Sequence, residues 1–413
     1  MRSVRVLRTI RKAEYAEIIA LFFFQGAALG IWFVPLSNVL DAHGLRAIKP
    51  YAFAASALAA FISPLFFGAM ADRHASPVKV LRGLALATAA TMTFASTAIK
   101  LSWNPWLVLA VIQLHALCAS PMFSLASTIA FARLADAKQE FGPLRAMATL
   151  GWMAGCLLVS ALGADTSTLA GYTGAVMWLL VAAVTFFVPA LQKLKLAGHV
   201  AWHERLGLDA LTLLKNRDHR VVFITTALLC IPMCAFYPYA PLHLRALGFE
   251  RTSAWMTLGQ VTEIIAMFSL GALLVSWRLK WIFACGLGLG MLRFALSALN
   301  TKAWLLTGVV LHGCSYTLVF ITAQIYLDQR VDAAWRARAQ ALMTLMNSGV
   351  GNLLGYLGTG WWFSACTQIG ETRWPRFWGG LAVVVGLVMA HFLTSYHGQG
   401  IGFRRAKESE PIV

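Results

Sequence analysis

The chain has 413 residues, 59% of them hydrophobic and only 12% charged, with a formal net charge of +17. No soluble domain needs that balance, and apolar runs of about 20 residues recur from end to end, which describes an all-α polytopic membrane protein. A membrane barrel would show short alternating segments instead. The positive charge is not a nucleic-acid footprint, because lysine and arginine gather in alternate loops, as membrane topology expects.

Twelve apolar helices fit the sequence, over 14–40, 47–71, 78–99, 104–133, 143–163, 170–191, 219–245, 253–276, 280–299, 303–328, 336–364 and 374–396. Met1 to Lys12 is basic, but the apolar run after it is too long for a cleaved signal peptide, so a retained first span is expected. With both termini on the cytoplasmic side, the outer loops hold only Arg46, Lys49, Lys100, Arg245, Arg251, Lys302, Arg373 and Arg376. The other cations lie inside, apart from Arg145 and Arg293 within spans. The expected location is a bacterial cytoplasmic (inner) membrane, crossed many times.

The longest polar stretch, Gln192 to His219, divides the chain. It contains ERLGLDALTLLKNRDHR, whose leucines among charges suit a short amphipathic helix at the inner membrane surface. The expected organisation is an N-terminal six-helix bundle over 1–191, a cytoplasmic linker over 192–218, and a C-terminal bundle with a basic tail over 219–413. A weak internal echo supports it. LRAMATLGWMAGCLLVSALG from Leu144 and ARAQALMTLMNSGVGNLLGYLG from Ala337 each open on a basic residue and continue glycine-rich. Parallel repeats of this kind belong to carriers that rock two bundles about a central site.

Ionisable residues inside spans are costly and mark function. In span five, Arg145 is followed by Thr149 and Trp152, all on one helical face, while Gly151, Ala154, Gly155 and Cys156 leave room for close neighbours. In span eight, Glu263 is the one carboxylate deep in the second half, with Gln260 one turn before it. Arg145 and Arg293 are rival counter-charges for Glu263, which would accept a substrate hydrogen bond or carry a proton. Tyr316 and Thr317 in span ten, and Phe236, Tyr237 and Tyr239 in the proline-rich span seven, could stack against a planar solute. Gln25, Ser127 and Thr128 are weaker pocket candidates. His115, His312 and His391 stand apart from any carboxylate at useful spacing and read as buried, satisfied histidines.

The seven cysteines (Cys118, Cys156, Cys230, Cys234, Cys285, Cys314, Cys366) stand singly, so neither a disulfide framework nor a metal site is expected. No cofactor is expected, and no catalytic constellation for a membrane enzyme is visible.

Gly68-Ala69-Met70-Ala71-Asp72-Arg73 resembles the G-x-x-x-D-R loop of the major facilitator superfamily, in which Gly68 would allow close helix packing and Asp72 would cap a helix or pair with a base. More segments resemble one branch of it, the nucleoside:proton symporter family of bacterial nucleoside permeases. PMFSLASTIAFARL (from Pro121) is similar to that family's P-T-L-x-L-x-N-x-I-S stretch, and FGPLRAMATLGWM to its F-P-x-I-R-x-W-G-T-I-G-F segment. LGLDALTLLKN, GQVTE, LRFAL, HGCSY and RARAQAL fit in order, over nearly the whole chain.

The resemblance implies a proton-coupled carrier of nucleosides working by alternating access, with Arg145, Thr149, Trp152, Gln260, Glu263, Tyr316 and Thr317 at the substrate and Glu263 as proton carrier. The chain departs from the family pattern twice. The span-seven amides have no counterpart around Cys230 to Tyr237, and the acid of the span-ten aromatic–acid pair is replaced in Tyr316-Thr317. What remains also looks like the arginine–glutamate–arginine set of lactose-permease-type carriers, so a sugar or small aromatic acid is the rival substrate, and a transport-inactive sensor the rival outside transport. The expected partners are substrate, protons and lipid, with a monomer as default.

Overall fold

The computed structural model describes residues 13–73, 76–134, 137–189, 208–332 and 335–398. Almost all of it is helix. In chain order the rods are α1 (Ala16–Ala42), α2 (Lys49–Arg73), α3 (Pro77–Lys100), α4 (Pro105–Phe131), α5 (Ala137–Ala161), α6 (Leu169–Val184), α7 (Arg217–Ala246), α8 (Thr252–Ser276), α9 (Leu279–Ala298), α10 (Lys302–Arg330), α11 (336–365) and α12 (Trp374–Ser395). Eight of them (α1, α3, α4, α5 from Glu140, α7, α9, α10 and α12) are long and apolar enough to cross a membrane. Their outward face is oily: Val275, Phe187, Trp361, Phe268 and Leu387 are all largely exposed. So broad an apolar surface needs lipid around it.

Helix starts follow local chemistry. Ser76 and Asn104 accept hydrogen bonds from the first turns of α3 and α4, each followed by proline at a position that needs no N–H. Asn216 caps α7 by accepting from Asp218 and His219 at 3.0 and 3.2 Å. Breaks inside rods are equally local. α1 turns at Val34-Pro35 and α4 at Ser120-Pro121. α7 turns at Cys234-Ala235 among Pro232, Pro238 and Pro241. π-helical turns interrupt α10 at Thr317–Ile321 and α11 at Leu345–Gly351.

The core divides in two. One cluster draws almost entirely on residues between Tyr15 and Val188, the other on residues between Ala210 and Tyr396, joined by Val34 and Cys156. Small residues set the spacing in each half. Gly26 and Gly30 of α1 lie on the backbone of Ala148 and Trp152 in α5, while Gly151 and Gly155 of α5 lie on that of Phe23 and Ala27, and a Cβ at Gly151 would strike the Phe23 carbonyl. In the other half, Gly313 of α10 lies on the backbone of Gly259 and Glu263 in α8. Between halves, α5 packs on α8, α2 on α11, and the far part of α1 on that of α7.

Three details differ from the sequence expectation. α5 begins at Ala137, because Pro143 sits inside the helix, and α6 ends at Val184 in a turn through Phe186 and Phe187. A two-residue hairpin pairs Thr367–Gln368 with Glu371–Thr372 between α11 and α12. Most of the expected amphipathic linker lies outside the described residues; its described end, Leu208–Lys215, is a 3₁₀ helix with Ala210 buried. The side chains of Gly68, Asp72 and Arg73, at the end of α2, also lie outside the described set.

Candidate substrate cavity

A cavity of about 430 Å³ opens between the two halves. Gly26 and Leu29 of α1, Phe123 of α4, and Arg145, Ala148, Thr149 and Trp152 of α5 form one wall. The opposite wall takes Cys230, Met233, Cys234 and Tyr237 from α7, Gln260 and Glu263 from α8, and His312, Tyr316, Phe320 and Gln324 from α10. α11 completes it with Met343, Thr344, Asn347, Ser348, Asn352 and Tyr356. Six of the seven residues singled out from sequence therefore share one space: Arg145, Thr149, Trp152, Gln260, Glu263 and Tyr316.

Thr317 is placed behind that wall. It is fully buried at the start of the α10 π turn, and its hydroxyl donates to the Glu263 carbonyl at 3.4 Å. Gln25, Ser127 and Thr128 face their own surroundings: Gln25 reaches the Met122 carbonyl at 3.5 Å, and the two hydroxyls bond back within α4.

Arg145 and Glu263 are the charged members of the described lining. One comes from α5 and the other from α8, so the two halves each give the cavity one charge. No ion pair joins them, and neither head group has a hydrogen-bond partner among the described residues. The Arg145 guanidinium rests 3.9 Å over the Phe123 ring. Three more polar atoms in the lining residues, Trp152 Nε1, Gln260 Oε1 and Asn347 Oδ1, are buried without a partner. Gln260 does use its nitrogen, donating to the Tyr237 hydroxyl at 3.2 Å. Buried polar groups are normally satisfied, so these three atoms are exceptions, while Arg145 is exposed and Glu263 part-exposed, both open to meet a ligand in the cavity.

Aromatic rings enclose the same space. Trp152 lies 5.6 Å from Tyr237, which lies 6.2 Å from His312; Tyr316 follows, then Phe320 at 5.0 Å from Tyr316. Of the span-seven aromatics, Tyr237 alone reaches the described lining.

One expectation is corrected here. Arg293 is not a partner of Glu263 and does not line the cavity. It is 2% exposed, between the faces of Phe236 and Phe294 at 4.6 and 4.5 Å, and bonds to Met233 Sδ at 3.4 Å and to His312 Nδ1. The arginine–glutamate–arginine arrangement of a sugar carrier is thus not formed. His312 is buried at 6% exposure and hydrogen-bonded to Arg293, and it also lines the cavity and stacks on Phe236 at 3.8 Å. Sequence reasoning also passed over Asn347, Ser348 and Asn352, polar residues inside an apolar run, the same signal that singled out Gln260.

The end of the cavity beyond Trp152 and Tyr237 is shut by hydrogen bonds between halves. Asp165, in the loop after α5, accepts from the Ser253 N–H at 2.7 Å and the Thr252 hydroxyl at 3.2 Å at the start of α8. Ser160 accepts from the Ala254 N–H at 3.0 Å and donates to Asp165 at 3.0 Å. Asn38 of α1 reaches Thr252 at 3.0 Å, and Ser37 donates to the Pro238 carbonyl. A carboxylate at a helix N-terminus is favoured by both the free N–H groups and the helix dipole.

The family profile described as Nucleoside H+ symporter matches residues 15–399. The chain belongs to the nucleoside H+ symporter family. It is 31% identical to the putative nucleoside transporter YegT of Escherichia coli (strain K12), over 92% of both chains. It is 24% identical to the nucleoside permease NupG of the same organism, over 90% of this chain and 94% of that one. The solved structure of nucleoside transporter NupG aligns with a TM-score of 0.83 at 24% identity, covering 93% of this chain and 99% of that chain. For this family member the likeness shows the fold, that of the major facilitator transporters.

Proposed function

We propose that this protein imports nucleosides with protons across a bacterial cytoplasmic membrane by alternating access. The observation that carries this reading is the pair Arg145 and Glu263, contributed by opposite halves to one cavity and left without ion-pair or hydrogen-bond partners for their head groups among the described residues. A nucleoside offers what they lack: ribose hydroxyls to donate to a carboxylate, and base carbonyls to accept from a guanidinium or from the Trp152 N–H. Its planar base suits the Trp152, Tyr237, Tyr316 and Phe320 walls. Thr149 and Gln260 add neutral contacts, and Thr317 acts through the backbone of Glu263. Glu263 is the carboxylate of the described lining, so it is where the accompanying proton rides.

The two halves, 1–191 and 219–413, are the rocking bodies, joined through 192–218. The excess of lysine and arginine in alternate loops puts both termini in the cytoplasm. In that orientation the hydrogen-bonded end around Asp165 is the outer gate, and the cavity, lined down to Gln324 and Thr344, faces inward. Gly68, Asp72 and Arg73 fall at the inner junction of α2 and α3, where a conformational loop would act. The cavity is built within one chain, which fits a monomeric carrier.

Uptake into proteoliposomes tests the reading. Radiolabelled nucleoside should accumulate when an inward proton gradient is imposed, and unlabelled sugars or aromatic acids should not compete. Competition by a sugar but not by nucleosides would reassign the substrate.

A further inference from the structure

α11 brings to the cavity a polar group that the reading above leaves idle. Its α-helical pattern yields to a π turn at Leu345–Gly351, a rare irregularity that recurs at functional sites. Asn347 and Ser348 lie within this turn and Asn352 just after it, and all three line the cavity. The turn is seated directly on α7. A Cβ at Gly351 would meet the Cys230 side chain at 2.8 Å, and one at Gly355 would meet Cys234 Sγ at 2.6 Å. α7 itself gives the cavity two cysteines, a methionine and a tyrosine, and no amide. The short thiols leave space that longer side chains would fill, and the amides of the neighbouring helix stand beside it.

The two amides are not equivalent. Asn352 Oδ1 is occupied, accepting from Cys234 Sγ at 3.3 Å. Asn347 Oδ1 is turned away from the cavity and has no hydrogen-bond partner among the described residues, so a turn of the carboxamide toward the cavity breaks no bond of the oxygen. A carboxamide with its oxygen free and its nitrogen beside it is a ready-made acceptor–donor pair. Along α11, Asn347 has Met343 one turn before it in the lining and Tyr356 beyond, apolar and aromatic surfaces suited to a flat ring. Ribose hydroxyls have a stronger acceptor in Glu263.

We propose that Asn347 reads the base of the bound nucleoside, its carboxamide turning into the cavity so that Oδ1 accepts a ring N–H and Nδ2 donates to the adjacent carbonyl. The substrates preferred are nucleosides whose base presents such a lactam edge, as uridine and inosine do. This inference rests on the nucleoside reading. A site built to hydrogen-bond an N–H rejects analogues that lack it, because its own polar group is then stranded.

The test is competition against labelled uridine uptake in proteoliposomes by uridine and 3-methyluridine, and by inosine and 1-methylinosine. Wild-type protein should favour the unmethylated nucleoside at least ~10-fold. In Asn347→Ala that preference should shrink to about 2-fold or less, while Asn347→Asp, which keeps the acceptor, should retain it. Should the alanine variant fail to fold, as judged by thermal melting, Asn347→Leu fills the same space without a polar atom and carries the same expectation. A wild-type preference that survives in Asn347→Ala or Asn347→Leu overturns the proposal, as does the absence of any preference in the wild type. Uptake that no nucleoside inhibits would instead remove the nucleoside reading, and this inference with it.

Discussion

Arg145 and Arg293 both lie well inside helices, and their surroundings are opposites. Arg293 is enclosed: a methionine sulfur, an imidazole nitrogen and two ring faces occupy its guanidinium. Arg145 looks into the cavity with one ring beneath it and no hydrogen bond among the described residues. Neither can shed its charge. Where the chain supplies contacts on every side, the arginine belongs to the framework and holds His312 in the wall. Where it withholds them, the arginine waits for a ligand. The hydrogen-bonded end around Asp165 teaches the same lesson, since Asp165 is fully engaged and the Glu263 carboxylate has no partner among the described residues.

Substitutions should separate the two kinds of site. Arg293→Ala should cost ~2–5 kcal/mol of stability, by leaving a void and a stranded His312 nitrogen, and the loss would register as a lower melting temperature in detergent. Affinity in the folded fraction should change little; a binding defect without a melting defect would move Arg293 into the site. Arg145→Ala should behave in reverse. Losing charge-assisted hydrogen bonds to substrate costs ~1.5–3 kcal/mol, or ~10–100-fold in Kd by titration calorimetry, with the melting temperature of the empty protein unchanged.

Smaller effects are expected where groups act on the balance between states. Asp165→Ala removes a helix cap that joins the two halves at this end of the cavity, so it should weaken the closed arrangement of that end by about 1 kcal/mol. Labelling of a cysteine introduced at the outer end should speed up accordingly, and unchanged labelling would mean the cap does not gate. Thr317→Val should be the mildest. It deletes one neutral hydrogen bond to the Glu263 backbone, worth ~0.5–1.5 kcal/mol, and should leave substrate preference alone. An altered preference would put Thr317 at the ligand itself.

Much of this could be read in the residues. A charge inside an apolar run announces itself, and helical periodicity puts Thr149 and Trp152 on the face of Arg145, and Gln260 on that of Glu263. Thr317 shows the limit of that logic. It neighbours Tyr316 in sequence, but the π turn that begins at Thr317 carries it behind the wall. Asn347, Ser348 and Asn352 were obscured for the same reason, since a π turn shifts the register on which a 3.6-residue period relies. The rivalry of Arg145 and Arg293 for Glu263 is undecided in the sequence, because one sequence offers no means of ranking His312 above Glu263 as a neighbour of Arg293. The capping of α8 by Asp165 joins residues 88 apart and required the tertiary structure.

The central claim is that Glu263 couples the proton to the substrate held with Arg145. It is tested most directly by reconstituting Glu263→Gln beside the wild type and measuring nucleoside uptake in two modes. Driven by an imposed proton gradient, the wild type should concentrate substrate and the variant should not. In counterflow, with substrate preloaded and no gradient, the variant should still exchange. Full gradient-driven accumulation by Glu263→Gln would contradict the account.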